Sequence, residues 1–585
     1  MKSETRNHRV TIIILILSAV STIIYLFSIK NAFPVFQNAR LTDPLAELHS
    51  LFPLYYTAIA IIALLGVVCF LYRIENKGIH LLLLLLMAIM LWYTPYYLAE
   101  FARPPDAPRN VGVAMVIPQV LQGIQVLASD YAMDYPTSYI LDYTLLNLTK
   151  IDYLSYMHLF PFLSIVIFVI LFYAFTSQLF NPRAAFIAVL FAIPGLHYIV
   201  FHPSAHLVGV LLLMTALILL LRRDVASTVF AFLSIIAVVI CHPISPILLA
   251  VFLAAAFVAF FSRRLAKSQA LLGLMILVCM GGWFFWPNLT LTTGETTQPS
   301  VVEEPGTGEA ISEWSKEVES NIFPSEFETT REFLLGSPFI YKGIYNINRG
   351  IYLLYAFLAA IGFCYVLYRS RPLWKRPRDF IKEIFGLRRE EVFMAISVPV
   401  LVILTILLAE RGHVLIERSL SFIIIAMSGF IASILTRIYE PGMVLVKRFI
   451  GVAMVVVLLF LTLSFPVVAY SIDAYTSFPI SEEAGLKFLA DHVPLDTKTL
   501  ATTSGSQMTL YGSHILAPVA LRDPSSLEDG DVFAFRSTGY YHVAMRDELS
   551  FHDNWFTRYQ SAVSSSNEFD RIYCSQTTTI FSRRD

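Results

Sequence analysis

The strongest constraint on this chain is a set of long apolar runs that carry no charge. Thr11–Phe27, Leu81–Leu91 and Ile165–Phe175 contain no charged residue, and many such runs approach the roughly 20 residues a bilayer-spanning helix needs. The whole composition agrees with them. Across 585 residues, 56% are hydrophobic and 15% charged, with a mean hydropathy of +0.66, against about 25% charged in an ordinary soluble domain. A soluble globular enzyme is excluded, and the chain reads as an α-helical polytopic membrane protein.

Lysine and arginine (42) nearly cancel aspartate and glutamate (43), leaving a net charge of −1. No basic surface is implied, so no nucleic-acid partner is expected. Cys69, Cys241, Cys279 and Cys364 lie in or beside apolar segments and Cys574 stands alone near the C-terminus, a pattern that makes no secreted disulfide framework. Lys2, Arg6 and Arg9 precede the run Val10–Ile29. That run is longer than a signal-peptide core and no small-residue cleavage site follows it, so it reads as an uncleaved first span.

Hydropathy gives about 13 transmembrane helices, at 10–29, 52–72, 79–98, 157–177, 184–201, 206–221, 225–241, 246–262, 269–286, 350–368, 391–409, 413–436 and 449–471. With the N-terminus inside, the cytoplasmic segments hold 22 lysines and arginines, eight of them in the basic loop 369–390, whereas the outer loops before the tail hold ten. The positive-inside rule therefore places the N-terminus in the cytoplasm and the C-terminus outside the cell membrane. Trp92, Tyr93, Tyr96 and Tyr97 close the third span, where they are expected as interfacial anchors. The basic and aromatic loop 369–390 suits the surface of anionic membrane lipids better than a nucleotide.

Three outer segments follow, 99–156, 287–349 and the tail 472–585. The second is acid-rich and reads as a solvated loop with one amphipathic helix near Ile311–Ile322. The tail has the composition of a small soluble α/β domain, with a helix at Ser481–His492 and strands at Thr499–Thr503, Val532–Phe535 and Thr577–Phe581. It carries no nucleophile elbow, phosphate loop or metal-spaced His/Cys pair, which suits a lid or an acceptor-docking surface.

Ionisable groups at membrane boundaries are costly unless they serve a site, and several fall at the outer ends of spans. Glu100 directly follows the third span and is either a site carboxylate or an interfacial partner of Arg103. Asp130 and Asp134, beside Tyr131 and Tyr135, could bind sugar hydroxyls or a divalent cation, or cap the helix that Pro136 begins. Two His-Pro pairs, His202-Pro203 and His242-Pro243, fall in outer turns. His202 and His206 stand four apart and could share a helical face at a metal-ligand spacing; the plain alternative is proline at a helix start with histidine at the interface. Arg418 lies within span twelve beside Glu417, and could pair with it or hold a lipid phosphate.

The run Asp134-Tyr135-Pro136-Thr137-Ser138-Tyr139, Leu145–Ile151, His158-Leu159-Phe160-Pro161 and Asn181-Pro182-Arg183, with the spans between, resembles the GT-C superfamily of integral-membrane glycosyltransferases. That superfamily includes protein O-mannosyltransferases, aminoarabinose transferases and oligosaccharyltransferases, and the resemblance covers about residues 80–260. It implies that residues 1–78 are two added N-terminal helices and that 79–471 form a GT-C-like module. It also implies that Glu100 occupies the place of the family's carboxylate after its first span, and Asp134 and Tyr135 the loop-exit motif. His202 and His206 then stand where the second outer loop carries site residues. By the same resemblance the protein is expected to transfer a sugar from a polyprenyl-phosphate donor to a lipid, glycan or protein acceptor at the outer face. Glu100 and Asp134 would be catalytic, Arg418 would meet the leaving phosphate, and Asp130, Tyr135, His202, His206 and His242 would bind substrate. A divalent metal is one possible cofactor. There is no Asp-Asp, Asp-Glu or Asp-x-Asp pair near the third span and no Trp-Trp-Asp motif in the tail, which disfavours an oligosaccharyltransferase proper. The rival classes are a transporter or flippase of lipid-linked glycans, for which no internal repeat is visible, and a non-catalytic surface-assembly relative.

Overall fold

Residues Lys2–Ala39 form one helix, α1, whose stretch His8–Gln37 is long and apolar enough to cross a membrane. The computed structural model describes residues 2–39, 46–51, 53–99, 106–121, 135–196, 199, 201–222, 224–242, 244–259, 273–274, 278, 347, 350–358, 360–361, 397–402, 422–429, 431–432, 435–436, 444–469, 499–501, 532–536, 569–574 and 578–583. After α1 come α2 (Ala46–Ser50), α3 (Pro53–Leu71), α4 (Lys77–Leu98), α5 (Asp106–Leu121), α6 (Thr137–Thr149) and α7 (Tyr153–Leu179). Next are α8 (Pro182–Ala192, extended by a 3-10 turn Ile193–Gly195), α9 (Ala205–Leu221), α10 (Val225–Val239), α11 (Ile244–Ala259) and α12 (Val444–Ala469).

Among the described residues, five helices are long and apolar enough to cross a membrane: His8–Gln37, Pro53–Leu71, Lys77–Leu98, Tyr153–Leu179 and Phe449–Ala469. The protein is a multi-pass helical membrane protein. The shorter apolar helices α8 to α11 fall on four more expected spans. The fifth expected span, 184–201, stops early, because Pro194 and Gly195 convert the end of α8 into a 3-10 turn. The expected spans at 269–286 and 391–409 and the loops 287–349 and 369–390 lie largely outside the described residues, while those at 350–368 and 413–436 are described for about half their length.

Helix starts follow the local chemistry. The side chains of Asp152, Asn181, Ser204 and Asp224 accept from the backbone N–H of Ser155 (2.9 Å), Ala184 (2.8 Å), Leu207 (3.3 Å) and Ser227 (2.7 Å), each satisfying an N–H that the first turn leaves over. The backbone N–H of Ser155 holds the Asp152 carboxyl below its ordinary range, and that of Ser227 does the same for Asp224.

Helix α4 departs from regular geometry at Ile89–Tyr93, which form a π-helical turn. Pro95 is the cause: it has no N–H to give and its ring would collide with the preceding turn of a regular helix. The Met90 carbonyl instead accepts from the Tyr55 hydroxyl (2.8 Å) and from Thr94 Oγ1 (2.7 Å), and Thr94 in turn meets the Tyr25 hydroxyl (3.0 Å). Three helices are thus joined through one displaced carbonyl, as hydrocarbon surroundings require. Tyr55→Phe is expected to destabilise the protein by about 1–3 kcal/mol, the cost of a buried bond lost. Unfolding in mixed micelles checks it, with Tyr97→Phe as the exposed control.

Helices α1 and α12 pack on α3, α7 packs on α4, α8 and α9, and α9 packs on α10 and α11. Trp92 and Tyr96 are buried in this bundle and only Tyr97 is well exposed, which corrects the reading of all four as interfacial anchors. The Trp92 ring stacks on Phe201 (4.8 Å, 28°) and meets Phe168 edge-on (5.8 Å). The span continues past Trp92 for more than a turn, so the indole lies inside the helix packing and not at its end.

In the tail, β1 (Thr499–Ala501), β2 (Val532–Arg536), β3 (Phe569–Cys574) and β4 (Thr578–Arg583) form a sheet of order β1-β2-β4-β3. β1 pairs parallel with β2, and the other pairs are antiparallel. Three strands fall on expected segments. β3, which holds Cys574, was not expected, because a register shift between Arg571 and Tyr573 breaks the alternation that marks a strand. The expected helix Ser481–His492 lies outside the described residues.

Candidate functional site

Two turns between consecutive helices carry the histidines, and the chain folds so that they meet. Ser204 caps α9, so α9 begins at Ala205. His202 therefore precedes the helix and His206 lies in its first turn, which corrects the expectation that the two share a helical face. The neighbour of His206 is His242, from the turn between α10 and α11, with ring centroids 5.0 Å apart and an interplanar angle of 62°. His242 is buried, whereas His202 and His206 are half-buried. Gly209 permits this approach: a Cβ there would lie 2.4 Å from Ser245 Oγ and 3.5 Å from His242 Cβ.

The loop helices α5 and α6 tie down one turn each. Asn110 of α5 donates to the Pro203 carbonyl (2.7 Å), and Thr137 of α6 donates to the Ile240 carbonyl (3.1 Å). Cys241 closes the triangle by donating its thiol to the Ala205 carbonyl (3.2 Å). α5 and α6 pack on one another through Val113, Ala114, Ile117 and Tyr139, a small cluster apart from the main core. Tyr135 is buried at the bend that leads into α6, which Pro136 opens without a side-chain cap bond.

Asp142, on the inner face of α6, was not anticipated. It is fully buried, and its Oδ1 accepts from the Tyr156 hydroxyl at 2.5 Å, while Oδ2 is enclosed without a hydrogen-bonding partner among the described residues. α6 ends at Lys150, which takes the left-handed conformation (φ 55°), and Asp152 then starts α7, so Tyr156 returns to within reach of Asp142. Burial pushes the Asp142 carboxyl from 3.8 up to about 7, with the Tyr156 bond pulling the other way. Ser138 Oγ and Ser245 Oγ are also buried there without a partner among the described residues. One signal was present in the sequence: Ser138, Tyr139, Asp142, Leu145 and Leu146 recur at helical spacing, putting a carboxylate on the inward stripe of α6.

α4 ends at Leu98, whose carbonyl accepts from Gln37 Nε2 at 2.8 Å. Glu100, Asp130, Asp134 and Arg418 lie outside the described residues. Of the expected site residues, the structure thus brings His206 and His242 together, while His202 precedes α9 and Tyr135 lies at the bend before α6. Among the described residues no group of three or more His, Cys, Asp or Glu side chains is placed to hold a metal ion.

No family model matches the chain, and no curated protein is significantly similar to it. Among solved structures it is similar to the oligosaccharyltransferase of Archaeoglobus fulgidus. In the complex with zinc and sulfate the identity is 14% and the TM-score 0.42, over 74% of this chain and 61% of that one. In the apo form the figures are 13% and 0.45, over 81% and 71%. It is also similar to ArnT of Cupriavidus metallidurans bound to undecaprenyl phosphate, at 10% identity and TM-score 0.36, over 85% of this chain and 97% of that one. In the zinc and sulfate complex, the chain thus spans 61% of the archaeal enzyme's length. All three likenesses have TM-scores below 0.5 at identities of 14% or less.

Proposed function

We propose that the protein is a membrane glycosyltransferase that moves a sugar from a polyprenyl-phosphate donor to a lipid, glycan or protein acceptor at the outer face. The observation that supports this reading is the meeting of the two histidine turns under the helices of a single loop. It gathers polar side chains from separate helices at one end of an apolar bundle, where a lipid-borne donor and a water-borne acceptor can both arrive.

In the proposed reaction the Glu100 carboxylate takes the proton of the acceptor hydroxyl as its oxygen bonds to the anomeric carbon. The bond from that carbon to the phosphate oxygen breaks, and the polyprenyl phosphate leaves as an anion beside Arg418. Asp134 assists Glu100, and Asp130, Tyr135, His202, His206 and His242 contact the sugar and the diffusing acceptor. The chain then divides into an N-terminal part with two transmembrane helices (1–78), the transferase module (79–471) and an outer domain (472–585), with the N-terminus in the cytoplasm.

The test is sugar transfer from a radiolabelled polyprenyl-phosphate donor in reconstituted vesicles. Glu100→Gln is expected to lower the rate by about 10²–10⁴-fold, the usual contribution of a general base, with expression unchanged. A wild-type rate in that variant would remove Glu100 from the site. Flux of a lipid-linked glycan across vesicles without transfer would instead support a flippase.

A further inference from the structure

The buried pair Asp142 and Tyr156 takes no part in the reaction proposed above, yet it anchors α6, the helix that holds one of the two histidine turns. Its hydrogen bond ties α6 to the first turn of α7. On the same helix, Thr137 holds the turn before His242, and Cys241 of that turn reaches the start of α9, where His206 lies. Movement of α6 would therefore be passed to both histidines. We infer that Asp142 is a positioning residue, which through Tyr156 fixes α6 and so sets the placement of His242 against His206.

A fully buried carboxyl that makes one hydrogen bond and no ion pair among the described residues is costly. Stability alone would be as well served by an apolar side chain of similar size. What the carboxyl adds is direction: the Tyr156 hydroxyl is held at one point, and α6 can take one register over α7. An asparagine in its place keeps an acceptor for Tyr156, whereas an alanine does not.

The kinetic arm of the test rests on the transferase reading; the structural arm does not. In the full chain in nanodiscs, hydrogen exchange is followed at 205–209 and 240–246, with 55–70 of α3 as the internal control. Asp142→Ala and Tyr156→Phe are expected to speed exchange at both turns by about 10-fold or more, with α3 unchanged, while Asp142→Asn retains wild-type protection. Transfer per folded molecule should fall about 10–100-fold in kcat with little change in KM for Asp142→Ala, and be restored by Asp142→Asn. Wild-type exchange at 240–246 in a folded Asp142→Ala protein, or failure of asparagine to rescue, would overturn the inference. If the exchange pattern appears and wild type transfers no sugar from any donor, the transferase reading fails while the positioning of the histidines stands.

Discussion

Thermal unfolding of the purified protein in nanodiscs is expected to lose a pH-dependent component between about pH 4 and pH 7 when Asp142 is replaced by asparagine. The Asp142 carboxyl moves from 3.8 to about 7 in the folded protein, so the native state keeps its proton where the unfolded chain has released it. Folding then takes up a proton across that window, and stability falls as pH rises through it, with the full penalty present above about pH 7. A shift of this size corresponds to about 4 kcal/mol at most. Asp152 and Asp224 act in the opposite sense, since their lowered values give stability that is lost only as pH falls below the ordinary carboxylate range. They leave the window to Asp142. Histidines titrating there are common to both proteins and cancel in the difference. Melting temperatures of the two proteins at pH 4.5, 6 and 7.5, in about equal steps across the window, check this result. Parallel curves would mean that Asp142 is ionised or hydrated in the native protein.

The second large effect belongs to Trp92. Replacing it by alanine is expected to destabilise the bundle by about 3–5 kcal/mol, the range for removing a large buried aromatic side chain. Its indole is 3% exposed, stacked on Phe201 and edge-on to Phe168, so truncation removes contacts to α7 and to the turn before His202 together. Tyr97, 40% exposed at the same end of α4, is the control, and its alanine variant should change stability by less than about 1 kcal/mol. Unfolding in mixed micelles measures both. Equal effects would restore the interfacial role that the sequence suggested for Trp92.

Trp92 and Asp142 also mark where the sequence was misleading or silent. An aromatic cluster at the end of a hydrophobic run has the same pattern whether its rings face headgroups or a neighbouring helix. Only the partners, Phe168 of α7 and Phe201 in the turn before α9, decide it. Asp142 sits in a loop helix of mixed composition, where a single carboxylate passes for a solvated residue. It is Tyr156, brought back by the tight turn at Lys150, that shows which way it points. A spacing of four pairs His202 with His206 in the sequence, yet Ser204 delays the helix and separates them. His206 and His242, which do meet, are far apart in the chain and have no spacing to betray them.

Hydropathy and charge by themselves determined that the chain crosses a membrane many times as helices, about where the described spans lie, and that polar residues concentrate in the turns. Those properties are set one segment at a time, by the cost of placing backbone and charges in hydrocarbon. Which turns face each other, which carboxylate is enclosed and which aromatic rings turn inward depend on contacts between distant segments. Those were decided only by the tertiary structure, through helix packing and the few hydrogen bonds from Asn110, Thr137, Cys241 and Tyr156 that join one segment to another.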